Sequence, residues 1–188
     1  MANFTFLNSP IHVAHHFWKL IVETTDHVID ATLGNGQDAL FLAPLCTRGK
    51  LTGIDVQEQA ISSAQEILKE YYHIEYVLGS HATFPNHLTP ETIKLIVYNL
   101  GYLPRGDKTI VTQTSSTLES VQNALSLLTP GGMISITCYS GHEEGANEEK
   151  ALLEFSRRLN PRQWSVSHQQ WLNRHRCPSL LLISKCLS

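Results

Sequence analysis

Short runs of branched apolar residues alternate along this chain with stretches whose apolar residues recur every three or four positions. Glycine, proline or a polar cluster marks each switch. A period that changes from two to 3.6 and back calls for strands joined by helices, because parallel neighbours in a sheet need a crossover between them. Strands are expected over 27–31, 50–55, 74–78, 94–99 and 133–138, with two more near 164–171 and 179–185. Helices are expected over 10–23, 37–46, 57–71, 115–128 and 147–159. Ser9 before Pro10 opens the first helix, whose apolar stripe is Val13, Phe17, Leu20 and Ile21. Pro130, Gly131 and Gly132 are read as the end of the fourth. The result is an α/β chain with five strands in crossover order, a C-terminal antiparallel hairpin, and helices on both faces. At 188 residues, 42% hydrophobic and 16% charged, it has enough material for one core, so 1–188 reads as a single domain.

In such a sheet, ligands bind beyond the carboxyl ends of the strands. The clusters with chemical character fall there. The first is Asp30-Ala31-Thr32-Leu33-Gly34-Asn35-Gly36-Gln37-Asp38, in which paired glycines let backbone approach a ligand before the next helix begins. With Ala39 it satisfies the loose G-x-G-x-x-A dinucleotide pattern, and Asp55 follows about 20 residues later, where a ribose-binding carboxylate belongs. Asp30 and Asp38 weigh against a pyrophosphate and suit a cation. S-adenosylmethionine offers an ammonium, a sulfonium and a ribose diol. The order Asp30, Gly34, Gly36, Asp55 resembles motif I and the acidic loop of class I methyltransferases, with Thr32 in place of the usual third glycine.

The second cluster is Tyr98-Asn99-Leu100-Gly101-Tyr102-Leu103-Pro104. A polar Asn ending an apolar strand needs a hydrogen-bonding task. The Asn99 amide oxygen and the Leu100 carbonyl can accept hydrogens from an amino group and aim its lone pair, while Tyr102 can stack on a base. The segment resembles the Asn-Pro-Pro-Tyr-type motif of amine-methylating enzymes.

Taken in order, the Asp30–Asp38 run, Gly79-Ser80-His81, the segment from Asn99 to Pro104, and Tyr139-Ser140-Gly141-His142-Glu143-Glu144-Gly145 resemble the YtqB/MnmM methyltransferase family over nearly the whole chain. The resemblance implies a seven-stranded, Rossmann-like class I methyltransferase that uses S-adenosylmethionine. It further implies N-methylation of 5-aminomethyl-2-thiouridine at the tRNA wobble position, giving 5-methylaminomethyl-2-thiouridine. Asp30, Asn35, Gly36, Asp38, Asp55, Gln57, His81, Asn99 and Gly101 would surround the cofactor. Tyr102, Thr114, Tyr139, His142, Gly145 and Glu149 would approach the wobble uridine or its neighbours. Asn99, Tyr102, Tyr139 and His142 would form the catalytic set, with Tyr139 or His142 as candidates to take the amine's proton. Near the C-terminus the family shows Asn-Gln-x-Asn-x-Pro-Pro, whereas this chain reads Asn173-Arg174-His175-Arg176-Cys177-Pro178-Ser179; Arg174 and Arg176 would contact phosphates there. The family also suggests a homodimer.

Charge adds an asymmetry. Residues 1–150 carry eight Lys and Arg against sixteen Asp and Glu, whereas 151–188 carry five arginines and Lys185 against Glu154 alone. A cationic face near the C-terminus is one reading, and it could hold RNA phosphates; a solvated surface is the other. Cys46, Cys138, Cys177 and Cys186 are scattered singly and read as free thiols. His12 and His16 lie one helical turn apart without a third ligand, so no metal site is expected. His15, His73 and His87 read as surface or packing residues, and Trp18, Trp164 and Trp171 as packing. The absence of a long apolar run or a signal-peptide pattern makes the cytosol the expected location. Rival readings are a methyltransferase acting on rRNA or another amine, a nicotinamide-dependent oxidoreductase, and a non-catalytic RNA-binding module.

Overall fold

The computed structural model describes residues 9–101, 112–174 and 177–187. The elements in chain order are α1 (Pro10–Ile21), β1 (His27–Asp30), α2 (Gln37–Leu42), β2 (Lys50–Asp55), α3 (Glu58–Ile67), β3 (Ile74–Leu78), β4 (Ile93–Asn99), α4 (Thr114–Leu127), β5 (Leu128–Cys138), α5 (Glu143–Ser156), β6 (Trp164–Gln169) and β7 (Ser179–Lys185). The seven strands form one sheet in the order β3-β2-β1-β4-β5-β7-β6. β1 to β5 pair in parallel, and β7 runs antiparallel between β5 and β6. The expected architecture and hairpin are present. No helix among the described residues is long and apolar enough to cross a membrane.

Side chains alternate across the sheet and divide the core in two. Val28, Leu51, Leu95, Val97, Leu180 and Leu182 pack beneath α1, α2 and α3, against Val13, Trp18, Leu42 and Leu68. Ile29, Ile54, Ile96, Tyr98, Ile134, Ile136, Leu181 and Ile183 form the other layer with Val121, Ala124, Leu127 and Leu152 of α4 and α5. This parity places the site. Asp30 follows Val28 by two residues, Asp55 follows Leu51 by four, and Asn99 follows Val97 by two, so all three fall on the α1–α3 face at the carboxyl ends of adjacent strands.

Helix ends differ from expectation. α2 stops at Leu42 rather than 46, α3 at Ile67 rather than 71, and α5 spans Glu143–Ser156 rather than 147–159. α5 starts earlier because His142 acts as its N-cap, accepting from the Gly145 N–H. α4 runs into β5 at Leu128 with no turn between them. Leu128 pairs with Ile93 and Met133 with Leu95, so the Pro130-Gly131-Gly132 segment forms an irregularity inside β5, with Gly131 at φ 73°.

Among the described residues, the basic C-terminal segment does not form one face. Trp164 pairs with Lys185 at one end of β6 and Gln169 with Leu180 at the other, while Cys138 at the carboxyl end of β5 pairs with Ser179. Arg157, Arg158 and Arg162 therefore lie toward the sheet edge opposite the crevice, and Arg174 lies in the β6–β7 connection on the crevice side. An antiparallel hairpin after a crossover helix sends consecutive basic residues to opposite ends.

Candidate active site

A crevice of about 910 Å³ opens at the carboxyl ends of β1, β2, β4 and β5. Asp30, Asn35, Asp38, Asp55, Gln57, His81, Asn99, Gly101, Tyr139 and His142 all line it, joined by Ile11, Thr112, Gln113 and Ser116.

The turn after β1 carries the acidic groups. Gly36, at φ 76°, is the N-cap of α2 in a conformation that side chains resist, and a Cβ there would lie 3.0 Å from Cβ of Ala64. Asp55 closes the turn from below: its Oδ2 accepts the Gly34 N–H at 2.8 Å and its Oδ1 the Gln57 N–H at 2.9 Å. Each carboxylate oxygen keeps a lone pair for a further donor, such as a diol. Thr32 supplies what a glycine cannot, because its hydroxyl accepts the Asn99 N–H at 2.7 Å and ties the ends of β1 and β4 together.

Asp30 is buried, with Oδ1 accepting the Thr32 N–H at 3.2 Å and Oδ2 unpartnered among the described residues. Burial, followed by the neighbouring charge of Asp38, pushes its carboxyl well above the usual range. Asp38 accepts from His15 Nε2 at 2.9 Å through Oδ1 and from the Asn99 side-chain amide through Oδ2. That second bond fixes the Asn99 carboxamide, leaving its Oδ1 buried and unpartnered among the described residues.

His142 Nδ1 accepts the Gly145 N–H at 3.1 Å, while its buried Nε2 is unpartnered among the described residues. With Nδ1 used as an acceptor, the neutral ring carries its proton on Nε2 and presents a donor. Burial raises the Tyr139 phenol, reinforced by the charge of Asp38. The Tyr139 phenol is therefore not set up to take a proton at neutral pH. Burial lowers the His81 imidazole, which lies under Tyr98 and Thr117.

Several expected residues stand apart from the crevice. Glu149 is buried, accepts from Ser179 Oγ and meets His168 Nε2 at 3.1 Å, so it braces the hairpin and is not among the residues lining the crevice. Its neighbour Glu148, about 100° around α5, reaches Thr112, which lines the crevice. Glu148 accepts from Thr117 at 2.5 Å and Thr112 at 2.9 Å, and Thr112 Oγ1 in turn accepts the Gly101 N–H at 2.9 Å. Thr114 joins α4 to α5 through Glu144, which accepts from both its N–H and its hydroxyl at 2.9 Å. Gly145 packs its backbone so closely that a Cβ would fall 2.2 Å from the Tyr139 carbonyl oxygen. Asn173 and Arg174 are exposed on the β6–β7 connection. Tyr102 and Arg176 lie outside the described residues. Sequence reasoning missed His15, Thr112 and Glu148; a helix-face argument on α1 was the one signal available for His15.

The model of the family described as "Putative rRNA methylase" matches residues 51–185. The chain belongs to this family. A chloroplastic protein of Arabidopsis thaliana named tRNA (mnm(5)s(2)U34)-methyltransferase is 33% identical over 187 residues, covering 92% of this chain and 68% of that one. A structure from Clostridium thermocellum described as a "putative rRNA-methylase" superposes with a TM-score of 0.90 at 31% identity, over 95% of this chain and 98% of that chain. A Streptococcus mutans protein described as "a putative methyltransferase" and solved with S-adenosylhomocysteine gives a TM-score of 0.86 at 32% identity, over 95% and 99% of the two chains. The fold is that of the class I methyltransferases. In this methylase family member, as in the fold generally, the crevice sits where strand order reverses, beside β1 and β4.

Proposed function

We propose that the protein is an S-adenosylmethionine-dependent tRNA methyltransferase that methylates the primary amine of 5-aminomethyl-2-thiouridine at the wobble position. The observation that carries this reading is the Asn99 carboxamide, locked by Asp38 with a buried acceptor oxygen on the crevice. An amino group is the donor that such an oxygen suits.

The residues present fit the cofactor. The unpartnered Oδ2 of buried Asp30 suits an ammonium, and Asp55, held by two backbone donors, suits a ribose diol. When bound, S-adenosylmethionine supplies an electrophilic methyl on its sulfonium. The chain's own part is to bind, orient and exclude water. Asn99 Oδ1 accepts one N–H of the neutral amine and leaves its lone pair free to attack. His142 offers a donor at the crevice wall, and Tyr139 supplies a rim surface. The raised Tyr139 phenol keeps its proton and the His142 Nδ1 lone pair is engaged by the Gly145 N–H, so the amine enters neutral by desolvation and the product's proton is lost to water.

The Arabidopsis relative's name supports the wobble-uridine acceptor, and the family's description favours a second reading in which the acceptor lies in rRNA. The cytosol and a homodimer remain part of the proposal. Nucleoside mass spectrometry of tRNA carrying 5-aminomethyl-2-thiouridine, incubated with and without S-adenosylmethionine, tests it. A cofactor-dependent gain of one methyl on that nucleoside is expected. An unchanged nucleoside beside methylated rRNA would favour the second reading.

A further inference from the structure

We propose that His15 is a positioning residue for amine methylation, holding the Asn99 carboxamide in its productive orientation through Asp38; this rests on the amine-acceptor reading above. A carboxamide is nearly symmetric in shape, and a 180° flip would exchange the acceptor oxygen facing the crevice for an NH₂. That flip would set donor against donor and turn the amine's lone pair away. Asp38 prevents it because a carboxylate oxygen only accepts, which forces the Asn99 NH₂ toward Asp38.

Asp38 needs its own restraint, since it lies nine-tenths buried with Asp30 close enough to feel its charge. His15 supplies that restraint from α1. Its Nε2–H donates to Asp38 Oδ1 at 2.9 Å. The ring is itself fixed, stacked on Phe41 with centroids 3.9 Å apart and planes 12° from parallel, and 4.8 Å from Trp18. The order His15, Asp38, Asn99 thus runs from a rigid aromatic cluster to the acceptor oxygen. In such an order each group fixes the next through a donor that has one place to go.

Two substitutions separate positioning from packing. His15→Phe keeps a ring against Phe41 and removes the donor, whereas His15→Gln keeps a donor near Nε2 and removes the ring. We expect His15→Phe to lower kcat by roughly tenfold or more, with KM for S-adenosylmethionine within about twofold, and His15→Gln to retain most of the activity. In an Asn99→Ala background, His15→Phe should cost almost nothing further, because the two residues act as one unit.

A second readout needs no acceptor. In the ligand-free protein, the Asn99 side-chain amide protons, assigned by their loss in Asn99→Ala, should exchange with water several-fold faster in His15→Phe and at the wild-type rate in His15→Gln. Equal exchange in all three proteins, or full activity in His15→Phe with loss in His15→Gln, would overturn the proposal. If the wild type methylates no wobble nucleoside, the acceptor reading fails, and the exchange measurement still decides whether His15 orients Asn99.

Discussion

Asp55 accepts the backbone N–H of Gly34 at 2.8 Å, so the carboxylate at the end of β2 and the glycine turn after β1 are built as one unit. The turn shapes the crevice and the carboxylate offers it two acceptors.

Replacing Asp55 by Ala removes a charged acceptor from both Gly34 and Gln57. Affinity for S-adenosylhomocysteine, measured by calorimetry, should fall by roughly tenfold to a hundredfold, and urea unfolding should show a loss of about 1–3 kcal/mol. Asp55→Asn should fall between the two, because an amide keeps one acceptor.

Asn99→Ala is expected to act differently. Its role is exercised on the acceptor, so kcat should drop by roughly a hundredfold while cofactor affinity changes little. Equal losses in both would remove Asn99 from the reacting centre. Steady-state kinetics beside equilibrium binding makes the distinction.

The raised carboxyl of Asp30 gives a pH signature. The native protein keeps a proton there that the unfolded chain releases near pH 4, so between those values the native state binds more protons. The ligand-free protein should therefore lose stability as pH rises from about 4 through the raised value, and Asp30→Asn should remove that decline. A cationic ligand favours the ionised form, so its binding should release protons. Calorimetry in buffers of different ionisation enthalpy reads that release directly.

Gly145 is a test of backbone fit. A Cβ there would overlap the Tyr139 carbonyl, and the neighbouring imidazole of His142 would lie about 3 Å from it. Gly145→Ala should destabilise the protein by about 1–3 kcal/mol in chemical denaturation and lower kcat, since Tyr139 and His142 both shift.

The adjacent acids of α5 give a paired test. Glu148→Ala leaves the hydroxyls of Thr112 and Thr117 without their acceptor beneath Gly101, so it should reduce both stability and turnover. Glu149→Ala should weaken the hairpin through Ser179 and His168, by about 1–3 kcal/mol in thermal or urea unfolding.

The sequence made the strands and their polar ends legible because alternation and a terminal Asn or Asp are local patterns. Asp30, Asp55 and Asn99 followed from position alone. Contacts that depend on how a helix is rotated were harder to read: Glu148 and Glu149 differ by one residue and face different neighbours, and nothing local tells them apart. The role of His15 was hard to read for the same reason: the face of α1 hints that it points inward, but its partner Asp38 is 23 positions away and on another helix. The sequence left the C-terminal charge open between a cationic face and a solvated surface, because composition carries no direction and a hairpin reverses direction.

Gly101 and Thr112 are joined twice, by the Thr112 N–H to the Gly101 carbonyl at 2.9 Å and by the Gly101 N–H to the Thr112 hydroxyl at 2.9 Å. Glu148 takes the Thr112 hydroxyl proton from α5, so the clasp is pinned to a helix as well as to itself. Asn99, two residues before the clasp, is thereby held from two directions: Thr32 takes its backbone N–H and Asp38 its side-chain amide on one side, and on the other the chain that follows it is tied through Thr112 to α5. A disturbance at Glu148 therefore has a covalent route of two residues to the acceptor oxygen.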